Sequence, residues 1–574
     1  MRVGDLLLTW NSEGTPAAGR STGWSQIGRF GPGVLWQQAP SEHWYGFPLQ
    51  SGQTGPWHYW LLGELTGQTT NHIEAALNGQ IEIAELNGHF TLWAWHNTTQ
   101  QWHLWTNRLG TFHAYLGQEN GRVAAGTFCP GVAGAIGTKA LDWYGLTGFF
   151  SWGFFPQDHT HFDAVRMLRP ATHTVLDSNG RLCTQERTWQ WWHRPDTGRS
   201  YDDTVAEFAT HFAAVMADQV GPEKVALPIS GGLDSRTIVA AATAPSHTDA
   251  QFWAYTYGYG PKSIETKIGR AIGQARNLPC DSFTIPPYLF PALPTVLRCV
   301  EGFQDVTQSR QAAIAAQLRQ NADVVLAGHW GDVWLDTMGV LGKEVPDLAS
   351  TVLHKLEKGG RHWLIDNFGL QEQSEQLHER VKTDLAHYAD LADLDFRVKA
   401  FKTDHWSWRW TTASVRMFQT AVLPRLPFYD NRLVDFFCTV PSEFVHKRQL
   451  QIDYLKRYAP DLARITWQQY RANLYQYQHF RTWLLPARIL RKAKRRLTGQ
   501  QPAERNWEVQ FFKGEGPTQL RQMLLTPGLH IHEFVRPAAI EAMLAEFYAA
   551  PLTQGRGYSL SMLLTLTSWL EQYG

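Results

Sequence analysis

Residues 227–242 read LPISGGLDSRTIVAAA and decide the fold of the C-terminal part of the chain. An apolar run stops at Ser230, Gly231 and Gly232, and a stretch of helical character begins near Ser235. A glycine turn between a strand and a helix lets successive backbone N–H groups face one anion, and the helix adds the positive end of its dipole. The stretch therefore predicts an anion-binding loop at the carboxyl edge of a parallel sheet, where ligands bind in such folds.

Asp234 lies inside this loop, and the loop lacks the lysine of a Walker-type sequence. A carboxylate repels an anion unless a cation lies between them, as Mg²⁺ does between carboxylates and phosphates. The sequence therefore predicts a site for a metal-bound polyphosphate. The alternative is an ordinary tight turn in which Asp234 is a helix N-cap.

Strands and helices alternate around the loop, which predicts a parallel sheet covered by helices. From about residue 350 onward the pattern is mostly helical. The predicted strands are 224–230, 251–259 and one within 322–332, and the predicted helices are 201–220, 235–244 and 264–277.

The first 190 residues show short alternating segments separated by Asn-Gly and related turns, which predicts an all-β or an α+β domain. We predict hairpins over 81–95 and 101–117. The 26 tryptophans are interpreted as sheet and core packing, because aromatic residues favour half-buried pleated surfaces. A polar stretch at 187–203 predicts a linker, so we expect one domain over 1–190 and a second over 201–574.

Composition excludes several classes of protein. The formal net charge is zero, which argues against a nucleic-acid binder. The five cysteines are scattered without a CxxC pair, so we expect neither a zinc site nor a disulfide framework. Neither a signal peptide nor a run of about 18 apolar residues is present, and we expect a cytoplasmic protein.

Three motifs carry a family resemblance. SGGLDS (230–235) resembles the PP-loop of the ATP-pyrophosphatase superfamily, in a setting similar to the synthetase domain of asparagine synthetases. LAGHWGDVWLD (326–336) stands in the place of the family's second acidic loop, and RLPFYD (425–430) matches a third element. LNGHFTLWAW (86–95) and NRLGTFHAYL (107–116) resemble the family's glutaminase domain, so the resemblance spans nearly all of the chain.

The resemblance implies an α+β domain followed by an α/β domain. The first would be an Ntn-hydrolase-like αββα sandwich, and the second a parallel-sheet PP-loop synthetase domain with a helical C-terminal extension. The implied reaction uses Mg²⁺ and ATP, and forms an acyl-adenylate that an amine then attacks with release of AMP. The implied nucleotide-binding residues are Ser230, Gly231, Gly232, Asp234, Ser235, Tyr257 and Gly328, and the implied metal ligands are Asp234, Asp332 and Glu265. For Glu265 a solvated charge in a first helical turn is the alternative.

The sequence also departs from the family. Residue 2 is Arg2 where the family's glutaminase domain has a cysteine nucleophile, and Leu62 replaces the asparagine of a glutamine-binding segment. We therefore expect a ligase that does not hydrolyse glutamine, as in β-lactam synthetases and lasso peptide cyclases. His329 replaces a family glutamate, and it either transfers protons or fills space in its loop.

Tyr470 stands where the family has a lysine, with Arg471 beside it, and Arg471 is the candidate to neutralise charge on the adenylate. We count His329, Tyr470 and Arg471 as candidate catalytic residues.

Four functions remain open at this stage. The first is an amide ligase acting on a peptide, a metabolite or a saccharide-linked acid. The others are a lasso-type macrolactam cyclase, an ammonia-dependent asparagine synthetase and a non-catalytic nucleotide-binding scaffold. Residues 484–499 are basic and amphipathic, which is typical of contact with an anionic membrane, a leader peptide or a carrier, or of a solvated helix.

Overall fold

The computed structural model describes residues 1–10, 23–244, 250–260, 263–482, 484–486, 489–490, 493, 505–551 and 555–574. Its strands are β1 (Arg2–Val3), β2 (Leu6–Trp10), β3 (Trp24–Phe30), β4 (Gly33–Gln38), β5 (Phe47–Thr54), β6 (Trp57–Leu65), β7 (Gly88–His96), β8 (Gln101–Thr106), β9 (Tyr115–Glu119), β10 (Arg122–Gly126), β11 (Val165–Met167), β12 (Thr172–Leu176), β13 (Leu182–Arg187), β14 (Lys224–Pro228), β15 (Gln251–Gly258), β16 (Cys280–Thr284), β17 (Val324–Leu326) and β18 (Leu423–Arg425).

The helices lie mainly in the second half of the chain. They are α1 (Thr70–Leu77), α2 (Cys129–Ile136), α3 (Trp143–Trp152), α4 (Tyr201–Gln219), α5 (Asp234–Ala242), α6 (Ile264–Ala275), α7 (Leu289–Val300), α8 (Ala315–Asn321), α9 (Gly331–Trp334), α10 (Leu348–Leu356), α11 (Arg361–Phe368), α12 (Gln371–Ala386), α13 (Leu394–Lys402), α14 (Thr412–Arg416), α15 (Asn431–Cys438), α16 (Ser442–Val445), α17 (Gln449–Tyr458), α18 (Pro460–Ala463), α19 (Asn506–Phe512), α20 (Gly516–Leu525), α21 (Pro537–Ala549) and α22 (Arg556–Tyr573). A π-helix, Thr403–Thr411, joins α13 to α14.

The N-terminal part is a sandwich of two antiparallel sheets. One has the strand order β1-β5-β6-β7-β8-β12-β13 and the other β11-β9-β10-β2-β4-β3. Along β6, Trp60 and Leu62 join the core between the sheets, whereas Tyr59 and Leu61 pack with α1 on the outer face. Such alternation follows from the two-residue period of a strand. With α2 against β9 and β10 on the other side, the expected αββα sandwich is confirmed.

The tryptophans of this part form the predicted core. Trp10 of one sheet meets Trp102 of the other edge to face, with ring centroids 6.5 Å apart. Trp95 packs 5.6 Å from the same indole. All three side chains are almost fully buried, so the aromatic residues hold the two sheets together.

The two predicted hairpins were wrong in their pairing. Residues 83–85 form a 3₁₀ turn, and β7 pairs with β8 and β6. The alternating Ile81 and Ile83 pack instead against the outer cluster that includes α1. Alternation over so few residues is equally compatible with a turn that buries its apolar side chains. The second predicted hairpin contains β8 and β9, which belong to different sheets.

The second part is built on a parallel sheet with the order β16-β15-β14-β17-β18. The predicted strands at 224–230, 251–259 and 322–332 correspond to β14, β15 and β17, and α4, α5 and α6 match the predicted helices. The two edge strands, β16 and the three-residue β18, were not predicted. The chain after residue 350 is otherwise mostly helical, as expected for a helical extension.

The connection between the two parts is closely packed. Residues 188–200 contain neither helix nor strand, yet the His193 ring stacks on Phe396 at 3.9 Å and Arg194 N donates to the Cys438 carbonyl at 2.9 Å. We propose the division into domains 1–190 and 201–574 at this stretch.

The RLPFYD segment (425–430) also contacts the N-terminal part. Arg425 makes a two-pronged ion pair with Glu64, with N···O distances of 2.6 and 2.9 Å. Asn87 donates to Asp430 at 2.8 Å, and Asn431 N donates back to the Asn87 side chain at 2.9 Å. The motif that matches the family's third element is thus anchored at both ends on the N-terminal part.

Three other expectations concern the cysteines, membrane-spanning helices and the basic segment 484–499. All five cysteines are free. Among the described residues, helices are either too short or too polar to cross a bilayer. The predicted basic amphipathic helix at 484–499 lies largely outside the described residues.

Candidate functional site

Three adjacent strands of the parallel sheet bring most of the predicted nucleotide-binding residues to one edge. Residues 230–234 follow β14, Tyr257 lies near the end of β15, and residues 328–332 follow β17. Because β15 and β17 flank β14, the three carboxyl ends lie side by side. The structure therefore gathers the residues in the arrangement expected of a ligand site in an open α/β sheet.

The glycine loop is held in place by its own hydroxyl groups. Ser235 Oγ accepts a hydrogen bond from Ser230 N at 3.1 Å, and Ser230 Oγ accepts one from Gly232 N at 3.2 Å. Gln468 N donates to the Gly231 carbonyl at 3.1 Å. A Cβ on Gly231 would lie 2.8 Å from the Cβ of Gln468, so a side chain there would push this neighbouring segment away.

Asp234 is the most constrained acid of the site. Its side chain is 22% exposed, and its Oδ1 lies 3.2 Å from Arg448 Nη1 and 3.1 Å from Gln451 Nε2. Burial raises the pKa of the Asp234 carboxyl, and the negative charge of Asp332 raises it further, whereas Arg448 and Gln451 act in the opposite direction. The two carboxylates are therefore close enough to repel each other, and a shared cation would relieve that repulsion.

The second acidic loop packs directly on the first. A Cβ built on Gly331 would lie only 2.9 Å from Asp234 Cγ, and one on Gly328 would lie 3.5 Å from Ser235 N. Asp332 itself is exposed at the mouth of a large cavity. The glycine at position 331 thus allows the loops to touch, whereas a Cβ at position 328 would make an ordinary contact.

The acid pair fits Mg²⁺ better than a metal held by protein groups alone. Among the described residues, no group of three or more histidine, cysteine, aspartate or glutamate side chains is arranged to hold a metal ion. Mg²⁺ commonly binds one or two carboxylates and completes its shell with water and substrate phosphates. Glu265 lies in the first turn of α6, where its charge acts on Tyr259, so the structure does not add it to the pair formed by Asp234 and Asp332.

His329 is a neutral imidazole in this structure. Burial lowers the pKa of His329 to about 4, with a smaller contribution from the positive charge of Arg310. Its Nε2 lies 3.1 Å from Ser414 Oγ, and that hydroxyl donates to the Thr411 carbonyl at 2.8 Å. The serine oxygen can therefore accept the Nε2–H of His329, which leaves Nδ1 as a buried acceptor that no described group bonds.

Tyr470 and Arg471 lie beside the loop in different ways. The Tyr470 ring is buried against Trp467 and Tyr477, with centroids 4.9 and 5.4 Å away. Arg471 is exposed and has a φ of 53°. The residue of this segment that contacts the glycine loop is Gln468. Gln468 was not among the site residues predicted from the sequence.

Two arginines of the site were also missed. Arg310 Nε donates to the Tyr257 hydroxyl at 2.8 Å, and its charge reaches His329. Arg448 holds Asp234 and follows Lys447, and both residues have a positive φ, of 62° and 55°. A lone arginine forms no recognisable sequence motif. Arg310 lies 76 residues after Asp234 and Arg448 lies 214 residues after it, so only the folded structure shows that both belong to the site.

Comparisons with known proteins complete the description of the site. Residues 212–571 match a family model described as asparagine synthase. No curated protein matches the chain. Among solved structures, a similar one is the glutamine phosphoribosylpyrophosphate (PRPP) amidotransferase from B. subtilis complexed with ADP and GMP. The match has 9% identity and a TM-score of 0.21 and covers 50% of this chain and 67% of that one, a likeness too slight to bear on fold or function.

Proposed function

Because the chain belongs to the asparagine synthase family, we propose that it is an ATP-dependent, AMP-forming amide ligase that works without hydrolysing glutamine. The observation that carries this proposal is the pair Asp234 and Asp332 at the ends of adjacent parallel strands, beside a glycine loop. The substrate carboxylate attacks the α-phosphorus of ATP and the bond to pyrophosphate breaks. An amine then attacks the acyl carbon and AMP leaves.

The residues of the site have distinct parts in this reaction. The backbone of the glycine loop would receive the departing pyrophosphate, since preorganised N–H groups stabilise charge that develops there. Asp234 and Asp332 would hold Mg²⁺, which supplies neutralising charge when bound. Arg448, now paired with Asp234, would then be free to face a phosphate oxygen. Arg310 adds a second guanidinium beside Tyr257.

His329 is suited to orient the amine. An imidazole with a pKa near 4 is a weak base at neutral pH, so proton abstraction is not its strongest role. Its buried Nδ1 can accept a hydrogen bond from the N–H of an amine that approaches the acyl carbon. We therefore assign His329 to positioning of the nucleophile.

Three features of the N-terminal part support independence from glutamine. Both oxygens of Glu64, in the segment that would hold glutamine, are occupied by Arg425. The cavity beside Glu64 and Asn87 measures about 20 Å³, enough for about one water molecule. Cys129 is fully buried and burial raises the pKa of its thiol, which is the opposite of what a nucleophile needs. The amine is therefore either part of the substrate or a separate molecule such as ammonia.

Thermal and chemical unfolding with and without Mg·ATP test the proposal. At about 100 times its dissociation constant, the nucleotide should stabilise the protein by about 2.7 kcal/mol. Asp332→Asn should lose at least half of that gain, and EDTA should abolish it. Asp366→Asn, a change of an exposed aspartate on α11, is the matched control and should keep the full gain.

Exchange of labelled pyrophosphate into ATP, dependent on a carboxylic acid, then reports adenylation. If millimolar Mg·ATP leaves the native protein's stability unchanged, the ligase proposal is refuted. Stabilisation without any acid-dependent exchange would favour the non-catalytic scaffold. Exchange with aspartate, followed by AMP release with ammonia, would favour asparagine synthesis.

A further inference from the structure

A cavity of about 550 Å³ opens next to the acid pair, between Asp332 and Arg448 on one side and α10, α13 and the π-helix on the other. Its volume lies in the range of about 300–1,000 Å³ that is typical of pockets for drug-sized ligands. The proposed reaction needs a place beside the nucleotide where an acid can present its carboxylate. The position of the cavity meets that need.

The walls of this cavity are mostly apolar. Leu356 of α10 and Val398 and Phe401 of α13 line it, together with Trp406 of the π-helix. The His405 ring stacks on Phe401 with the ring centroids 4.3 Å apart. Burial lowers the pKa of His405 to about 4, so its ring is an uncharged part of the cavity wall at neutral pH. Wide π-helical turns often occur at functional sites, and here the turn brings two aromatic rings to the cavity. A ligand with an apolar or aromatic body would gain the most binding free energy by entering this cavity.

Of the residues that the structure describes, three cations line the cavity, together with the carboxylates of Asp332 and Asp336. Arg448 is paired with Asp234, and the Lys355 ammonium donates to the Met338 carbonyl. Among these three described cations, Lys402 is therefore the one available to a ligand.

The Lys402 ammonium lies 5.2 Å from the Trp330 ring centroid and 5.0 Å from that of Trp406. Its side chain is half-buried, and the ion pairs found among the described residues do not include it. A partly buried charge is costly unless anions lie near it, and the carboxylate of Asp332 is near enough to act on Lys402. Asp332 also acts on Asp234 of the glycine loop, so Lys402 lies close to the acid pair.

We propose that this cavity is the acyl pocket of the ligase, and that it takes a carboxylic acid with a bulky apolar or aromatic body whose carboxylate is held by Lys402. The inference rests on the proposed function and narrows its substrate class. A small acid such as aspartate would leave most of the apolar wall uncovered. The Lys402 ammonium would hold the carboxylate until it attacks the α-phosphorus, and no further reactant is required.

Calorimetric titration of the full-length protein with 4-phenylbutyrate tests this assignment. The titration is done with saturating Mg²⁺ and α,β-methylene-ATP, which blocks turnover. We expect binding in the millimolar range or tighter, at least tenfold tighter than that of aspartate or of the neutral 4-phenylbutanol. Lys402→Met should weaken the binding of 4-phenylbutyrate at least tenfold, and Lys402→Arg should restore part of it.

Lys358→Met is the matched control. The Lys358 ammonium lies 4.9 Å from the same Trp406 ring, yet Lys358 does not line the cavity, so this variant should bind the acid as the native protein does. Stabilisation by Mg·ATP is measured on every variant. If it is retained while 4-phenylbutyrate fails to bind, or binds equally well to Lys402→Met, the pocket assignment is overturned and the ligase proposal stands. If Mg·ATP stabilisation is absent from the native protein, it is the ligase proposal that fails.

Discussion

Gly331→Ala adds a single methyl group where the two acidic loops meet. The new Cβ would lie 2.8 Å from Phe428 Cε2 and 2.9 Å from Asp234 Cγ, distances that side-chain carbons do not tolerate. Gly331 is the first residue of α9 and its φ is not positive, so alanine brings no backbone strain. The whole effect must therefore come from the steric overlap.

The expected cost of this overlap is about 2 kcal/mol. Overpacking a closely packed site by one methyl group typically costs about 1–3 kcal/mol. Phe428 is fully buried, and Asp234 is tied to Arg448 and Gln451, so neither neighbour can move away freely. Spreading the loops also separates Asp234 from Asp332. If this lowers Mg·ATP affinity tenfold, the stabilisation at a fixed nucleotide concentration falls from about 2.7 to about 1.4 kcal/mol.

Denaturant unfolding with and without Mg·ATP measures both effects. Gly359→Ala is the control, because a Cβ there meets one atom at 3.9 Å and its φ is not positive either. It should unfold within about 0.5 kcal/mol of the native protein. If Gly331→Ala matches the native protein in both stability and response to Mg·ATP, the loops do not pack against each other as described.

Three more changes test other parts of the structure. Arg310→Met should weaken Mg·ATP binding tenfold or more, because a guanidinium beside Tyr257 is lost; unchanged affinity in a nucleotide titration would remove Arg310 from the site. Arg425→Met should cost about 2 kcal/mol in denaturant unfolding, since Glu64 and Glu223 both lose their ion-pair partner, and a cost below 0.5 kcal/mol, on the order of an ordinary surface change, would contradict a structural role for Arg425. Burial lowers the pKa of His89 to about 3, so this neutral imidazole stabilises the fold above its unfolded pKa of about 6.5, and that stability is lost as the pH falls toward 3. Between pH 7 and pH 5 the loss from His89 should be about 2 kcal/mol, and His89→Gln should show a correspondingly smaller loss over that interval; an unchanged pH dependence would mean that His89 is protonated in the fold.

The fold of the synthetase part could be predicted well because its signals are local. The apolar run, the glycine turn and the helical spacing after it specify β14, the loop and α5 without reference to distant residues. Strand pairing in the sandwich is a different matter. Strand β8 pairs with β12, which lies about 70 residues later in the chain. The short apolar-polar alternation of each strand does not indicate which strand it pairs with.

The sequence predicted the site residues that lie in recognisable motifs and missed those that do not. Asp234 and Asp332 were found because each follows a strand in a recognisable loop. Arg448 and Gln451 come from a helix region with no motif, and they reach Asp234 only because α17 packs beside α5. The cavity with Lys402 is likewise a product of tertiary packing.

The six residues of the RLPFYD segment tie the proposed synthetase site to the N-terminal part, whatever chemistry that part performs. The ends of the segment are anchored there, through Arg425 to Glu64 and through Asp430 to Asn87, while Phe428 between them supports the glycine of the second acidic loop. A chain without the sandwich would leave Arg425 with Glu223 alone and Asp430 with Arg432 alone, and it would loosen the support of its own acid pair. A substitution at Glu64 or Asn87 would therefore be felt at the acid pair, although both residues lie in the other part of the chain.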